Sequence, residues 1–293
     1  MAWAEVWISV PRQETATAET ALENLGALAI TLQDDADHPV MEPGPGETPL
    51  WPTVQVRGLF ESSVDRSAVI GGLASVPGAD RPGAIRWRDV DDRDWERAWM
   101  DRFKPMVFGR RLWIVPSGMS IPPDPDNIEI SLDPGLAFGT GTHPTTALCL
   151  EWLDAQDIAG LRAVDYGCGS GILAIAAALK GALRVDCVDN DPQALEATAN
   201  NAARNGVGAC LHCWLPERFE PSGANIVMAN ILAGPLISLA PVIIGSAARG
   251  GRIVLSGLLE EQVESVVAAY RAQCREVSVA AQEGWARVEL QRV

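Results

Sequence analysis

Apolar and polar side chains alternate along residues 3–10, where Trp3, Glu5, Trp7 and Ser9 share one side of an extended chain. A period of two marks a half-buried strand. Residues 14–24 change to helical spacing, with Ala18, Ala21, Leu22 and Leu25 along one face and Gly26 suited to the C-terminal cap. Strand patterning returns over 27–32. The Pro- and Gly-rich segment 38–52 predicts a loop, and strand 54–60, helix 64–75 and strand 84–90 follow. Two successive strand-helix-strand units are the ferredoxin-like split pattern. Residues 1–92 are therefore expected to form a small α+β domain of their own. Residues 94–102 predict a connecting helix bearing Trp95 and Trp99, within a linker over 93–105.

The pattern then becomes longer and more regular. Short strands are predicted at 111–115 and 128–132, around a Pro-rich loop at 116–126. A Gly/Thr-rich loop, 139–146, leads into an apolar helix over 147–153, with Pro144 suited to its first position and Thr142 or His143 to its cap. Beyond it, strand and helix alternate. A buried strand at 163–166 is followed by helix 171–180, strand 184–188 and helix 193–205, which Asp191 caps and Gly206 closes. Strands 209–214 and 224–229, helix 234–247, strand 251–255, helix 260–273 and strands 276–281 and 284–291 complete the chain. This alternation predicts an α/β, doubly wound parallel sheet, whose ligands bind at the carboxyl ends of the strands near the topological switch point.

Charge narrows the partners. The 293 residues carry a formal net charge of −15, which argues against a nucleic-acid or anionic-membrane surface and for a basic partner or none. Residues 1–95 hold 16 acidic against 7 basic side chains, so the small domain carries more than its share. The six cysteines are scattered in apolar settings and read as reduced core residues. Cys210-Leu211-His212-Cys213 resembles half a zinc site but lacks a second pair, so no metal is expected. The uncharged run 221–248 is interrupted by Asn225, Asn230, Pro235 and Pro241 and reads as a strand and buried helix rather than a membrane span. With no signal-peptide pattern at residue 1, a cytoplasmic protein is the simplest expectation.

The chemistry centres on Asp165-Tyr166-Gly167-Cys168-Gly169-Ser170-Gly171, a strand end running through glycines into a helix start. Such a turn lets backbone approach a ligand closely and presents free N–H groups. A nicotinamide fingerprint requires G-x-G-x-x-G, yet Ile172 stands where its third glycine belongs, and a phosphate loop requires a lysine that is absent. The D-x-G-x-G-x-G pattern instead resembles the first motif of S-adenosylmethionine-dependent methyltransferases. Asp189 closes the next strand, where a carboxylate would accept both ribose hydroxyls. Asn230 ends the fourth strand within Ala229-Asn230-Ile231-Leu232, where amine- and amide-methylating enzymes carry Asn/Asp-Pro-Pro-aromatic. Two rivals stay open: a methyltransferase of this fold acting on glutamine amides, small molecules or nucleic acid, and a nicotinamide-dependent oxidoreductase.

Three segments taken in order narrow the reading. Residues 132–146 (Leu-Asp-Pro-Gly-Leu-Ala-Phe-Gly-Thr-Gly-Thr-His-Pro-Thr-Thr), the turn 165–171 and residues 229–236 together resemble the bacterial methyltransferase family that modifies large-subunit ribosomal protein eleven. Residues 43–48 and 94–100 fit the same family, so the likeness spans essentially the whole chain.

The resemblance implies a small N-terminal substrate-recognition domain (1–92), a linker (93–105) and a class I, Rossmann-like methyltransferase domain (106–293). It implies trimethylation of lysine side chains and of the N-terminal α-amine of the ribosomal protein, met free before ribosome assembly by a monomeric enzyme. The methyl donor would be S-adenosylmethionine and the product S-adenosylhomocysteine. Carried over by motif, the cofactor contacts fall on Thr145, Gly167, Asp189 and Asn230, supported by Asp165 and Gly169, with Asn230 also orienting the acceptor amine. Tyr166 and Asn190 depart locally from the family pattern without replacing a contact. His143 is the nearest candidate base, but its place before a helix proline reads better as a cap or packing residue.

Overall fold

The structure is a computed structural model that describes residues 3–35, 50–79, 81, 83–90, 104–133, 141–221 and 223–293. The chain divides into two compact units, Met1–Trp99 and Met100–Val293. The expected boundary after residue 92, the helix 94–102 and most of the loop 38–52 lie outside the described residues, as does nearly all of the linker.

In the first unit, β1 (Trp3–Pro11), α1 (Thr15–Asn24), β2 (Ala29–Asp34), β3 (Thr53–Glu61), α2 (Arg66–Leu73) and β4 (Ile85–Val90) follow one another. The sheet order is β2-β3-β1-β4, and every neighbouring pair is antiparallel. That is the ferredoxin-like arrangement. The alternation read from β1 has a direct consequence: Ala4, Val6, Ile8 and Val10 turn inward against Ala18 and Leu22 of α1 and Val69 and Leu73 of α2. On the outer face the Arg57 guanidinium lies 4.7 Å from the centre of the Trp7 ring. Helix α2 begins two residues later than the spacing predicts, because the Asp65 carboxylate accepts from the backbone N–H groups of Ser67 and Ala68 and so becomes the cap.

The second unit opens with a small sheet, β5 (Met106–Phe108), β6 (Leu112–Val115) and β7 (Ile128–Ser131). Strand β5 is too short to show a period. Next come α3 (Pro144–Ala155), β8 (Arg162–Tyr166), α4 (Ile172–Leu179), β9 (Arg184–Val188), α5 (Pro192–Arg204), β10 (Leu211–Trp214) and β11 (Ala224–Asn230). The chain continues through α6 (Ala233–Ser238), α7 (Ala240–Ser246), β12 (Ala247–Leu259), α8 (Val263–Tyr270), β13 (Cys274–Gln282) and β14 (Trp285–Arg292). They build one seven-stranded sheet, β10-β9-β8-β11-β12-β14-β13.

From β10 to β12 every neighbouring pair is parallel, whereas β14 runs antiparallel to both β12 and β13. The sheet is therefore mixed where the sequence reading expected it parallel. Two residues, Glu283 and Gly284, are all that join β13 to β14, and a link that short can only close a hairpin. Strand β8 is an interior strand, with β9 on one side and β11 on the other. The switch point at their carboxyl ends is where a ligand crevice forms in such sheets.

The predicted helix 234–247 is two helices. Pro241 has no N–H to continue the first, so the chain breaks at Leu239. The Tyr270 hydroxyl, deep in the core, donates to the Leu236 carbonyl at 2.8 Å and ties α6 to α8. All six cysteines are free thiols. Among the described residues, no helix is long and apolar enough to cross a membrane.

Candidate active site

The glycine turn leaves β8 and folds back over β9. The N–H groups of Gly167 and Cys168 both donate to the Val188 carbonyl, at 2.7 and 3.2 Å. Gly167 has φ of 79°, and a Cβ there would collide with the Ile231 side chain. Only glycine satisfies both conditions. Helix α5 braces the turn from the other side: the Thr198 hydroxyl donates to the Gly169 carbonyl (3.0 Å) and the Asn201 amide to the Ser170 carbonyl (2.9 Å). Sequence reading missed both braces, since a Thr and an Asn on a polar helix carry no signal until the fold brings the turn beside them.

Two carboxylates hold the turn's shape. Asp189, half-buried at the end of β9, accepts the Gly169 N–H on Oδ2 (2.9 Å) and the Asp191 N–H on Oδ1 (3.0 Å). Each oxygen keeps further acceptor capacity. Asp165 is fully buried and accepts the Ala174 N–H at 3.0 Å. Burial pushes its carboxyl up to about 7; the Ala174 hydrogen bond pulls the other way, and the nearby Asp189 charge adds to the rise.

At the carboxyl end of β11, the strand beside β8, the Asn230 side-chain N–H donates to the Thr146 hydroxyl at 3.2 Å. Ile231, the next residue, is held by an N–H bond to the Ser256 carbonyl (3.1 Å). Gly257, at φ of 86°, passes so close that any Cβ would meet the Ile231 backbone. Ile231 thus fills the space between two glycines, Gly167 in the turn and Gly257 within β12. Leu232 beside it is 52% exposed.

Helix α3 closes this side. His143 is its cap: Nδ1 lies 2.8 Å from the Thr145 hydroxyl and accepts the Thr145 N–H at 3.3 Å. Thr145 is buried, and its carbonyl accepts from the Ser256 hydroxyl at 3.3 Å. Burial lowers the His143 pKa and the Glu283 carboxylate opposes that fall. The His143 ring meets Trp285 edge to face, with centres 4.6 Å apart.

Of the residues singled out in the sequence, Gly167, Gly169, Asp165 and Asp189 lie together at the turn. Asn230 ends the neighbouring strand just before Ile231, the residue that meets Gly167, and Thr145 joins through its neighbour Thr146. Residues 134–140 of the segment 132–146, which include the first two residues of the Gly/Thr-rich loop, lie outside the described residues. Ser256 and Trp285 were not foreseen, because both sit in strands whose pattern reads only as core.

The family model "Ribosomal protein L11 methyltransferase (PrmA)" matches residues 2–293. A ribosomal protein L11 methyltransferase from Pseudomonas aeruginosa (strain LESB58) is 50% identical over 293 residues, which is 100% of this chain and 99% of that protein. Another from Edwardsiella ictaluri (strain 93-146) is 49% identical over 290 residues, 98% of each. Among solved structures, the ribosomal protein L11 methylase of Lactobacillus delbrueckii subsp. bulgaricus superposes with a TM-score of 0.60 at 30% identity, over 65% of this chain and 99% of that one. The second unit accordingly has the class I, Rossmann-like methyltransferase fold. This chain belongs to the ribosomal protein L11 methyltransferase family.

Proposed function

We propose that this chain trimethylates amines of large-subunit ribosomal protein L11, the lysine ε-amines and the N-terminal α-amine, using S-adenosylmethionine. The observation that carries the reading is the Asp165–Gly171 turn, anchored on Asp189, with Asn230 at the carboxyl end of the neighbouring strand. When bound, S-adenosylmethionine supplies an electrophilic sulfonium methyl group. The residues present fit it. The Asp189 oxygens keep acceptor sites for ribose hydroxyls after their backbone bonds are counted. Gly167 and Gly169 offer bare backbone, and Thr145 and Asn230 stand opposite.

The acceptor poses the harder problem. A lysine amine has a pKa near 10.4, so the neutral form costs about 4–5 kcal/mol at pH 7. Burial of the amine and hydrogen bonds that favour its neutral form offset that cost. Thr146 takes the N–H side of the Asn230 amide, which presents the amide oxygen to an amine N–H. Asn230 then acts by positioning the nitrogen lone pair rather than by removing a proton. The ring nitrogen that His143 turns to Thr145 is spent on capping.

The remaining parts fall into place around this chemistry. Residues 1–92 are the substrate-recognition domain, 93–105 the linker and 106–293 the catalytic domain. The acidic first domain attracts a basic ribosomal protein free in the cytoplasm, and no nucleic acid, membrane, metal or second copy takes part. The test is calorimetry with S-adenosylhomocysteine and with reduced nicotinamide cofactor, followed by label transfer from S-adenosylmethionine to purified ribosomal protein L11. Binding of the first ligand alone, with label on the protein, is expected. Binding of the nicotinamide, or no label on the protein, overturns the reading.

A further inference from the structure

Glu283 is the one non-glycine residue among those described whose backbone lies in the left-handed region, at φ of 53°. It opens the two-residue turn between β13 and β14, with Gly284 at φ of 81° after it. Hairpin turns of this kind select Asn, Asp or Gly at that place, and a Glu there is strained. Such strain, when kept, is a reason to ask what the side chain does.

The turn's location supplies the answer. Asn230 pairs with Ser256 on β12, and Ser256 pairs with Arg287 on β14. Trp285 comes two residues before Arg287 on the same face of β14, opposite Leu259, so it rises about 7 Å beyond the level of Asn230 at the carboxyl rim of the sheet. Its ring is only half-buried and packs on the His143 ring. The helix that His143 caps carries Thr146, the Asn230 partner. Glu283 is exposed, and its charge acts on His143 across this rim. The turn itself is fastened, since the Glu260 N–H donates to the Gly284 carbonyl at 3.0 Å.

We propose that Glu283 and Trp285 are acceptor-positioning residues: Trp285 flanks the methylene stem of the incoming lysine, and Glu283 receives its ammonium at the mouth of the site. An aromatic ring attracts an aliphatic ammonium through its face and a carboxylate through charge. The inference rests on the proposed transfer to lysine amines. Glutamine amides or neutral small molecules would gain nothing from the Glu283 charge.

Steady-state kinetics with ribosomal protein L11 varied at saturating S-adenosylmethionine provide the test. Glu283→Gln keeps the backbone demand and removes the charge; its KM for the protein is expected to rise about 3–5-fold, the scale of an exposed charge pair. Glu283→Asp should restore it. Trp285→Leu should raise KM about 5-fold, with Trp285→Phe intermediate, as loss of a flat ring beside the lysine stem and its ammonium predicts. Donor affinity by calorimetry should not move in any of them. An unchanged KM in Glu283→Gln, or a loss shared equally by donor affinity and melting temperature, overturns the assignment. Absence of transfer by the unsubstituted chain would instead sink the lysine reading on which it stands.

Discussion

Asp165 shows how one side chain can serve the turn at a cost in stability. Its carboxyl is fully buried, bonded to the Ala174 N–H, and pushed up to about 7 by burial. A raised carboxyl pKa means that the folded chain holds a proton that the unfolded chain has already released. Stability therefore falls as pH rises from about 4 to about 7, by at most about 4 kcal/mol. Asp165→Asn keeps an oxygen for Ala174 and cannot ionise. Denaturant melts of the two ligand-free proteins should diverge over that interval, the parent chain losing stability relative to the variant; parallel curves would contradict the assignment. Asn230 tests the chemistry at the same scale. Asn230→Ala should bind S-adenosylhomocysteine and lose about 100-fold in turnover, the scale of a misplaced reacting group. Near-normal rates would remove it from the acceptor side.

The elements show what a single sequence reveals. The spacing of Gly167, Gly169 and Gly171, and the carboxylates at the ends of β8 and β9, identify a cofactor turn because backbone geometry limits such positions to a few residue types. The antiparallel course of β14 was not read, since its buried strand pattern is the same in either direction: the short Glu283-Gly284 link sets it against β13, and only its place beside β12 in the sheet sets it against the parallel strands. The break at Leu239 was missed although Pro241 announces it, because the surrounding run is uniformly apolar. Thr198, Asn201 and Ser256 stayed invisible for a different reason: their roles exist only once distant segments meet. The hairpin turn also carries its own prediction. Glu283→Asn should raise the melting temperature by about 1–4 °C, as relief of left-handed strain in a unit of this size implies. A lower melting temperature would mean that Glu283 is held there by contacts that stabilise the fold.

At the scale of the whole chain, each unit has its own core, and the charge is unevenly shared between them. If residues 1–92 recognise a basic protein, association should weaken steeply with salt, because exposed charges are screened beyond about 10 Å at 0.1 M. Removing residues 1–92 should leave donor binding intact and abolish transfer to the ribosomal protein; a truncated chain that still methylates it would refute the recognition role.

If the glycine turn and Asn230 act together, methyl groups should reach amines of one ribosomal protein. Peptide mass mapping of purified ribosomal protein L11 after incubation with this chain and S-adenosylmethionine is the decisive measurement. Three methyl groups on lysine ε-amines and on the N-terminal α-amine are expected. Methyl groups confined to glutamine amides, or an unmodified ribosomal protein, would contradict that expectation.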